Sequence, residues 1–419
     1  MGDQGEKAAL TEGECAELLC QALGLDRPTA EDTVRFLDER AGLLVWREVR
    51  HGERVLRFGH RSLAEYLVAC RLMERGESPK AHAHDSNWRE VCLLFVNEVL
   101  RGVNNNPKPA WTFVDDLLGP AEDPSNGWPV RAHFARLAAE SLADWRAVAP
   151  SELVTRLDAL QPEFLDAEKA HQMPLADRVG FWTAIGGHSL LVTNPDRYGR
   201  WVDLPPGTYW RGATPGDDGA HNNEKPAGPI ELTGARRIQR WPVTVAEFSD
   251  FVAAGGYTEQ GWWSESGWAW REERGVLTPQ VWPLDREQAH PIRYVSWWEA
   301  EAYCAWLSAQ APLGPDWRVR LPSEAEWEAA ARGLHRRPVS RYPWGVDDDP
   351  ERRVGSEVRL RRAAPVGCCP DGASPMGTWG QSGNVLEWCL DGFKAYDPKA
   401  RLDPYRPAGE AGAGRVLRG

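Results

Sequence analysis

At 419 residues, with 42% hydrophobic and 26% charged residues, the chain has the make-up of two or three folded domains, which excludes collagen, coiled coil and wholesale disorder. Its 49 Lys and Arg against 61 Asp and Glu leave a net charge of −12, arguing against phosphate-driven nucleic-acid binding. No apolar run nears the roughly 18 residues of a membrane span, and residues 1–6 lack a basic n-region, so no membrane association and a cytoplasmic location are expected.

The first 165 residues read mainly as helix. Amphipathic patterns cover 11–22 and 29–40, the second carrying Val34, Phe36 and Leu37 before a stop at Gly42. Two short β-like segments follow, 43–49 and 54–58, joined at His51-Gly52-Glu53 as a hairpin. Ser62 and Glu65 have capping-box spacing, and Leu63, Tyr66, Leu67, Cys70 and Met73 then share one helical face. Further helices are predicted over 88–100 and 130–148, with a break at 104–109. Helix, helix, hairpin, helix is compatible with a winged-helix-like module. No dense basic recognition helix accompanies it. His82-Ala-His84 lacks the i, i+4 spacing of a helical metal site.

Trp usage divides the chain. Of 22 tryptophans, six precede Trp201 and 16 lie at or after it. In that second half, Thr244/Glu247, Ser296/Glu299 and Ser323/Glu326 are three more capping boxes, each opening a short apolar helix. Short strands are predicted at 201–204, 230–232 and 385–388, set among Trp-, Gly- and Pro-rich loops. The pattern is α+β, with aromatic side chains filling the core.

Eight cysteines, at 15, 20, 70, 92, 304, 368, 369 and 389, show no CxxC pair, zinc spacing or disulfide framework. Most sit at apolar helical positions, and the adjacent Cys368-Cys369 suits an unstrained disulfide poorly, so all are read as structural. The run Asp347–Asp349 reads as a solvated loop. Arg352, Arg353, Arg359, Arg361 and Arg362 are dense enough for an anionic partner, although a solvated strand face is the preferred reading. Trp262, Trp263, Trp268 and Trp270 are a candidate ligand-binding surface, with loop packing as the competing explanation.

Two resemblances follow from these landmarks. Phe58, His60, Ser62, Glu65, Tyr66, Leu67 and Ala69, with the stretch around them, resemble the winged-helix and helical tail of NACHT-type STAND NTPases. No GxxxxGK[ST] loop is present, so nucleotide hydrolysis is not carried over and the motor is expected to be absent. From residue 201 onward, "VDLPPGTYWRGA", Glu224-Lys-Pro226, "WPVTVAEFSDFVAAGGY", "HPIRYVSWWEAEAYCAWLS", "RLPSEAEWEAAARG", "YPWG" and "SGNVLEW" occur in the order of the formylglycine-generating enzyme (sulfatase-modifying factor) family. That resemblance implies a variant of the C-type lectin fold. The division expected is 1–80 winged-helix-like, 81–165 helical, 166–200 a linker and 201–419 this domain, truncated at its C-terminus.

In that family, copper is held by a cysteine pair past the R-V-L-R-G segment, where this chain stops at Gly419, so copper is expected only if a longer gene supplies those cysteines. No catalytic residue is assigned. Calcium is the other implied ion, matched here by Gly383, Val385 and Glu387, with Gly380 standing where a side-chain ligand is usual. The function expected on this basis is a non-catalytic recognition or sensor module of a STAND-type protein or a diversity-generating-retroelement variable protein. Such a module takes a protein or small-molecule ligand and self-associates through the STAND-like region. The alternatives are a formylglycine-generating oxidase acting on a sulfatase cysteine and an iron-dependent sulfoxide synthase of the ergothioneine type, whose usual HxxxHxE motif is not found.

Overall fold

The computed structural model describes residues 10–41, 43–50, 52–102, 106–213, 220, 224–280, 287–310, 312–334, 340–360, 362–407 and 414–419. Gly42, His51, Asn104 and Arg361, singled out above, lie outside these. The chain packs as two compact units, Met1–Asp116 and Leu117–Gly419. No helix among the described residues is long and apolar enough to cross a membrane.

In the first unit, β1 (Leu10–Thr11) leads into α1 (Glu12–Leu23), which Thr11 caps with a reciprocal bond to Glu14. After α2 (Arg27–Glu39), the strands β2 (Leu44–Arg50) and β3 (Glu53–Phe58) pair antiparallel, and β1 joins them to give the order β1-β3-β2. Ala16, Ala30, Val34 and Leu56 form the buried centre. The next helix, α3, spans Arg61–Arg75 and starts earlier than its expected cap at Ser62. His60 is extended and occupies the cap position without a side-chain bond, which places Ser62 inside the first turn. The capping box expected at Ser62 and Glu65 is therefore not made. Next come α4 (Arg89–Arg101) and α5 (Lys108–Glu122), the latter a helix that the Pro-rich sequence at 107–109 and Pro120 concealed.

The second unit begins with helices. They are α6 (Trp128–Leu142), α7 (Ser151–Ala159), α8 (Gln161–Leu165), α9 (Ala167–Ala170), α10 (Leu175–Ile185) and α11 (Leu190–Thr193). The stretch read as a linker is packed in the structure: Phe164 stacks on Phe181 at 3.9 Å between centroids, and Arg178, Phe181 and Trp182 are fully buried. Tertiary burial here outweighs weak amphipathicity, because this helix is covered on nearly every side.

The remaining strands form three two-stranded ladders. In chain order they are β4 (Trp201–Leu204), β5 (Gly207–Arg211), β6 (Gly228–Leu232) and β7 (Arg236–Gln239), and later β8 (Glu387–Gly392) and β9 (Arg415–Arg418). β4 pairs with β7, β5 with β6 and β8 with β9, all antiparallel. Between them run α12 (Val245–Ala253), α13 (Glu265–Arg274), α14 (Trp297–Ala309) and α15 (Glu324–Arg332).

The expected capping boxes at Thr244, Ser296 and Ser323 are all made in both directions. The last opens α15, the centre of this unit. Ala325, Ala329 and Ala330 pack under the ladder of β5 and β6, while Trp327 and Ala331 face Cys389 of β8 and Val416 of β9. Small side chains let two ladders approach one helix. The buried carboxylates of α15 are satisfied individually: Glu326 by Arg320 at 2.7 Å and Arg236 at 2.8 Å, and Glu328 by the Tyr396 hydroxyl at 3.0 Å.

Ser323→Ala removes the acceptor of the Glu326 N–H and is expected to cost about 1 kcal/mol. Ser62→Ala, which removes no cap bond, is expected to stay within about 0.5 kcal/mol of the parent. Denaturant midpoints of the two variants check both values, and equal losses would contradict the assignment of caps.

Candidate functional site

The cap at Ser296 fixes the start of α14 so that Tyr303, Cys304 and Leu307 line one wall of a cavity of about 430 Å³. β7 and the residues after it form a second wall. Residues 316–322 and the loop 378–388 close the remaining sides. With Trp201 and Leu204 of β4, the site thus draws on five separate stretches of sequence.

Four of its five arginines have partners within the protein. Arg320 and Arg236 share the carboxylate of Glu326, and Arg237 pairs with Asp203 at 2.7 Å while lying over the ring of Trp317. Arg240 donates to the carbonyls of Gly199 and Gly377, at 2.8 and 2.7 Å. By contrast, four lining residues carry a buried polar atom without a hydrogen-bond partner in the protein: the Tyr303 hydroxyl, the indole nitrogens of Trp201 and Trp241, and Oε1 of Glu387. A buried donor or acceptor left unpaired costs about 1–3 kcal/mol. Three donors and one carboxyl, set in a wall of mixed apolar and charged side chains, therefore suit a small polar molecule.

Glu387 dominates the electrostatics. Burial pushes its carboxyl up to about 7, and the nearby Trp327 indole offsets only part of that. Its conformation follows from the turn before it. Gly383 and Asn384 have φ of +81° and +66°, and a Cβ on Gly383 would lie 2.5 Å from the Val354 carbonyl oxygen, so only glycine fits there. The Asn384 amide closes a two-way pairing with the backbone of Ala364, accepting from its N–H at 2.7 Å and donating to its carbonyl at 3.1 Å. This turn delays the strand expected from 385, which begins only at Glu387. Val385 and Glu387 both border the cavity. Gly380 has φ of +76°, and its nearest neighbour to an added Cβ is Pro242 Cδ at 3.5 Å.

The tryptophans singled out in the sequence lie elsewhere. Trp263 is a core residue whose indole donates to Gly256 at 2.8 Å and whose ring meets Tyr257 and Trp268 edge-on. Trp262, Trp268 and Trp270 pack half-buried against the same cluster, with Arg271 over Trp268 and Arg274 over Trp270. None of the four borders the cavity. Its tryptophans are Trp201, Trp241, Trp317, Trp379 and Trp388, spread over nearly half the sequence with no local pattern to announce them.

Three of the arginines in the Arg-rich stretch are paired, Arg352 with Asp349 and Arg353 with Asp348 and Glu357 locally, and Arg362 with the distant Glu287 at 3.7 Å. Cys304 has its thiol pushed up to about 12 by burial, and Cys389 is raised by the same cause, so neither is a thiolate at neutral pH.

The α+β scaffold thus sets one alanine-rich helix between two ladders, beside a cavity of mixed apolar and charged lining. Residues 188–419, more than half of the chain, match the family described as the sulfatase-modifying factor enzyme 1-like domain, and the chain belongs to that family. It is 36% identical over 217 residues to hercynine oxygenase of Mycobacterium tuberculosis, covering 47% of this chain and 48% of that protein. With formylglycine-generating enzyme of Streptomyces coelicolor it shares 30% identity over 261 residues, covering 52% of this chain and 77% of that protein. The solved structure of PvdO from Pseudomonas aeruginosa is similar at 22% identity and a TM-score of 0.40, over 52% of this chain and 80% of that one. The chain spans about half the length of the hercynine oxygenases it matches.

These relatives overturn the expectation of a non-catalytic sensor module. The similar proteins at 30–36% identity include hercynine oxygenases and formylglycine-generating enzymes, besides a serine/threonine-protein kinase Pkn1 of Chlamydia trachomatis at 31%.

Proposed function

We propose that residues 188–419 form the lectin-like domain of an oxygen-dependent enzyme of the hercynine-oxygenase kind, with formylglycine generation as the second reading. The observation that carries it is the cavity of about 430 Å³, whose wall leaves Tyr303, Trp201, Trp241 and Glu387 with unpaired buried polar atoms. The 36% identity to hercynine oxygenase favours the first reading, and the larger coverage of formylglycine-generating enzyme keeps the second. The order of elements from α1 to α3 supports a winged-helix-like reading of the first unit.

In this proposal the apolar wall excludes water, the two indoles and the phenol orient a polar ligand, and the turn at Gly383 and Asn384 holds Glu387 at the cavity edge. The orphaned carboxylate oxygen of Glu387 fits calcium, which Glu387 would hold together with backbone oxygens of Gly383 and Val385. Calcium supplies a fixed positive charge that keeps Glu387 ionised. Gly380→Asn, at a left-handed position that asparagine tolerates, is expected to strengthen calcium-dependent stabilisation. Iron and copper are not assigned to these residues, since no three His, Cys, Asp or Glu side chains converge among those described.

The test is oxygen uptake by the protein supplied with iron or copper and with either hercynine and a thiol or a Cys-x-Pro-x-Arg peptide, with products read by mass spectrometry. Oxygenated hercynine supports the first reading, and a cysteine-to-aldehyde mass loss the second. Neither product, together with no binding of either substrate by calorimetry, overturns both.

A further inference from the structure

One cation on the cavity wall has no partner. Arg318 is exposed, and among the described residues its guanidinium makes no hydrogen bond or ion pair, whereas Arg236, Arg237, Arg240 and Arg320 are all engaged. Its backbone is fixed on both sides. The Trp317 N–H donates to the Gly314 carbonyl at 3.3 Å, and the Val319 N–H to the Ser308 hydroxyl of α14 at 3.1 Å. The chain therefore holds this position still and leaves the charged end free. A planar guanidinium in that state is matched by a carboxylate, which accepts two parallel N–H bonds at once.

The rest of the wall suits the same kind of group. Its described charged residues are five arginines against Asp316, Glu326 and Glu387. Glu326 is held between Arg320 and Arg236, and Glu387 is the residue proposed above to hold calcium. Asp316, exposed and two residues from Arg318, makes no ion pair with it. The unpaired atoms of Trp201, Trp241 and Tyr303 are all donors. A ligand that satisfies three N–H and O–H donors and a free guanidinium is rich in acceptors and carries negative charge.

We infer that Arg318 is a specificity-determining residue, which binds the carboxylate of a small carboxylic acid in this cavity. The inference rests on the small-molecule reading of the site proposed above and names the group that the ligand presents. Between the two substrates considered there, it favours hercynine, whose carboxylate is free. In a Cys-x-Pro-x-Arg peptide the carboxyl of the cysteine is tied up as an amide, and the peptide's arginine brings a charge of the same sign as Arg318. The contact is noncovalent and no proton moves, since a guanidinium stays charged at every working pH.

The experiment is calorimetric titration of the full chain in calcium-containing buffer, with hercynine and its carboxamide in one arm and imidazole-4-propionate and its amide in the other. Affinity is thereby read apart from turnover. The parent is expected to bind each carboxylate about tenfold more tightly than its amide. Arg318→Gln is expected to weaken the carboxylates about tenfold and to change the amides less than about twofold. Arg318→Lys, which keeps the charge and loses the fork, should fall between. Arg71→Gln, which removes an exposed cation of the first unit, should leave all four affinities unchanged. Because the Arg318 side chain makes no bond in the fold, its variants are expected to melt with the parent. Binding of either carboxylate with this dependence on Arg318, without oxygenation of hercynine, supports the role of the residue and fails the oxygenase reading. Oxygenation of hercynine with its affinity unchanged in Arg318→Gln keeps that reading and overturns this one. No binding of either carboxylate by the parent, equal affinity for acid and amide, or a preference that survives Arg318→Gln overturns it as well.

Discussion

Arg178→Met is expected to destabilise the second unit by about 3–5 kcal/mol, the cost of leaving a buried carboxylate without its partner. Arg178 has no exposed surface, and its guanidinium donates to the carboxylate of Asp371 at 2.7 Å and to the carbonyls of Cys368 and Glu351 at 2.9 and 2.5 Å. The Asp371 side chain is itself 3% exposed, with His171 at 3.4 Å as its other neighbour. Removing the cation therefore strands a buried charge and the buried carbonyl of Cys368. The double variant Arg178→Met with Asp371→Asn should recover part of the loss, because the charge leaves with its partner. Denaturant midpoints at constant m measure both. A loss below about 1 kcal/mol for the single variant would show that water or a rearranged partner replaces the guanidinium.

Stability without calcium is expected to fall as pH rises from about 5 to 8, and Glu387→Gln to remove much of that slope. The folded Glu387 keeps its proton to about pH 7, whereas an unfolded glutamate releases it near 4.3. Between those values the folded chain binds more protons than the unfolded one, so the stabilisation is complete below the unfolded value and lost through the folded one. The full effect is about 4 kcal/mol. Asp391, raised by burial to about 6, adds a slope of the same sign that remains in the variant. Millimolar calcium should reverse the loss in the parent at pH 8, do little at pH 5, and leave Glu387→Gln unchanged. A flat pH profile in the parent, with no response to calcium at pH 8, would contradict both the burial of this carboxyl and its proposed ligand.

Local chemistry was legible wherever one residue and its near neighbours decide the outcome. The boxes at Thr244, Ser296 and Ser323 needed only a hydroxyl and a glutamate three residues apart, and all three form. The order of motifs from "VDLPPGTYW" to "SGNVLEW" likewise marked the family from sequence alone. The box at Ser62 had the same spacing and still failed. An extended His60 took the cap position, and helix starts shift by a residue at little local cost.

What the sequence by itself determined about this protein is the family, the α+β composition, the caps and the position of the turn that carries Glu387. Only the tertiary structure decided which tryptophans pack the core and which line the cavity. Trp263 and Trp241 are alike as letters, and their roles follow from distant partners, Tyr257 and Trp268 for one and Trp379 for the other. It also decided that Arg178 is buried against residues nearly 200 positions away, and that the Glu387 carboxyl is buried with its Oε1 unpaired. A carboxyl's proton affinity depends on what surrounds it in space, and no spacing along the chain encodes the absence of water around a side chain.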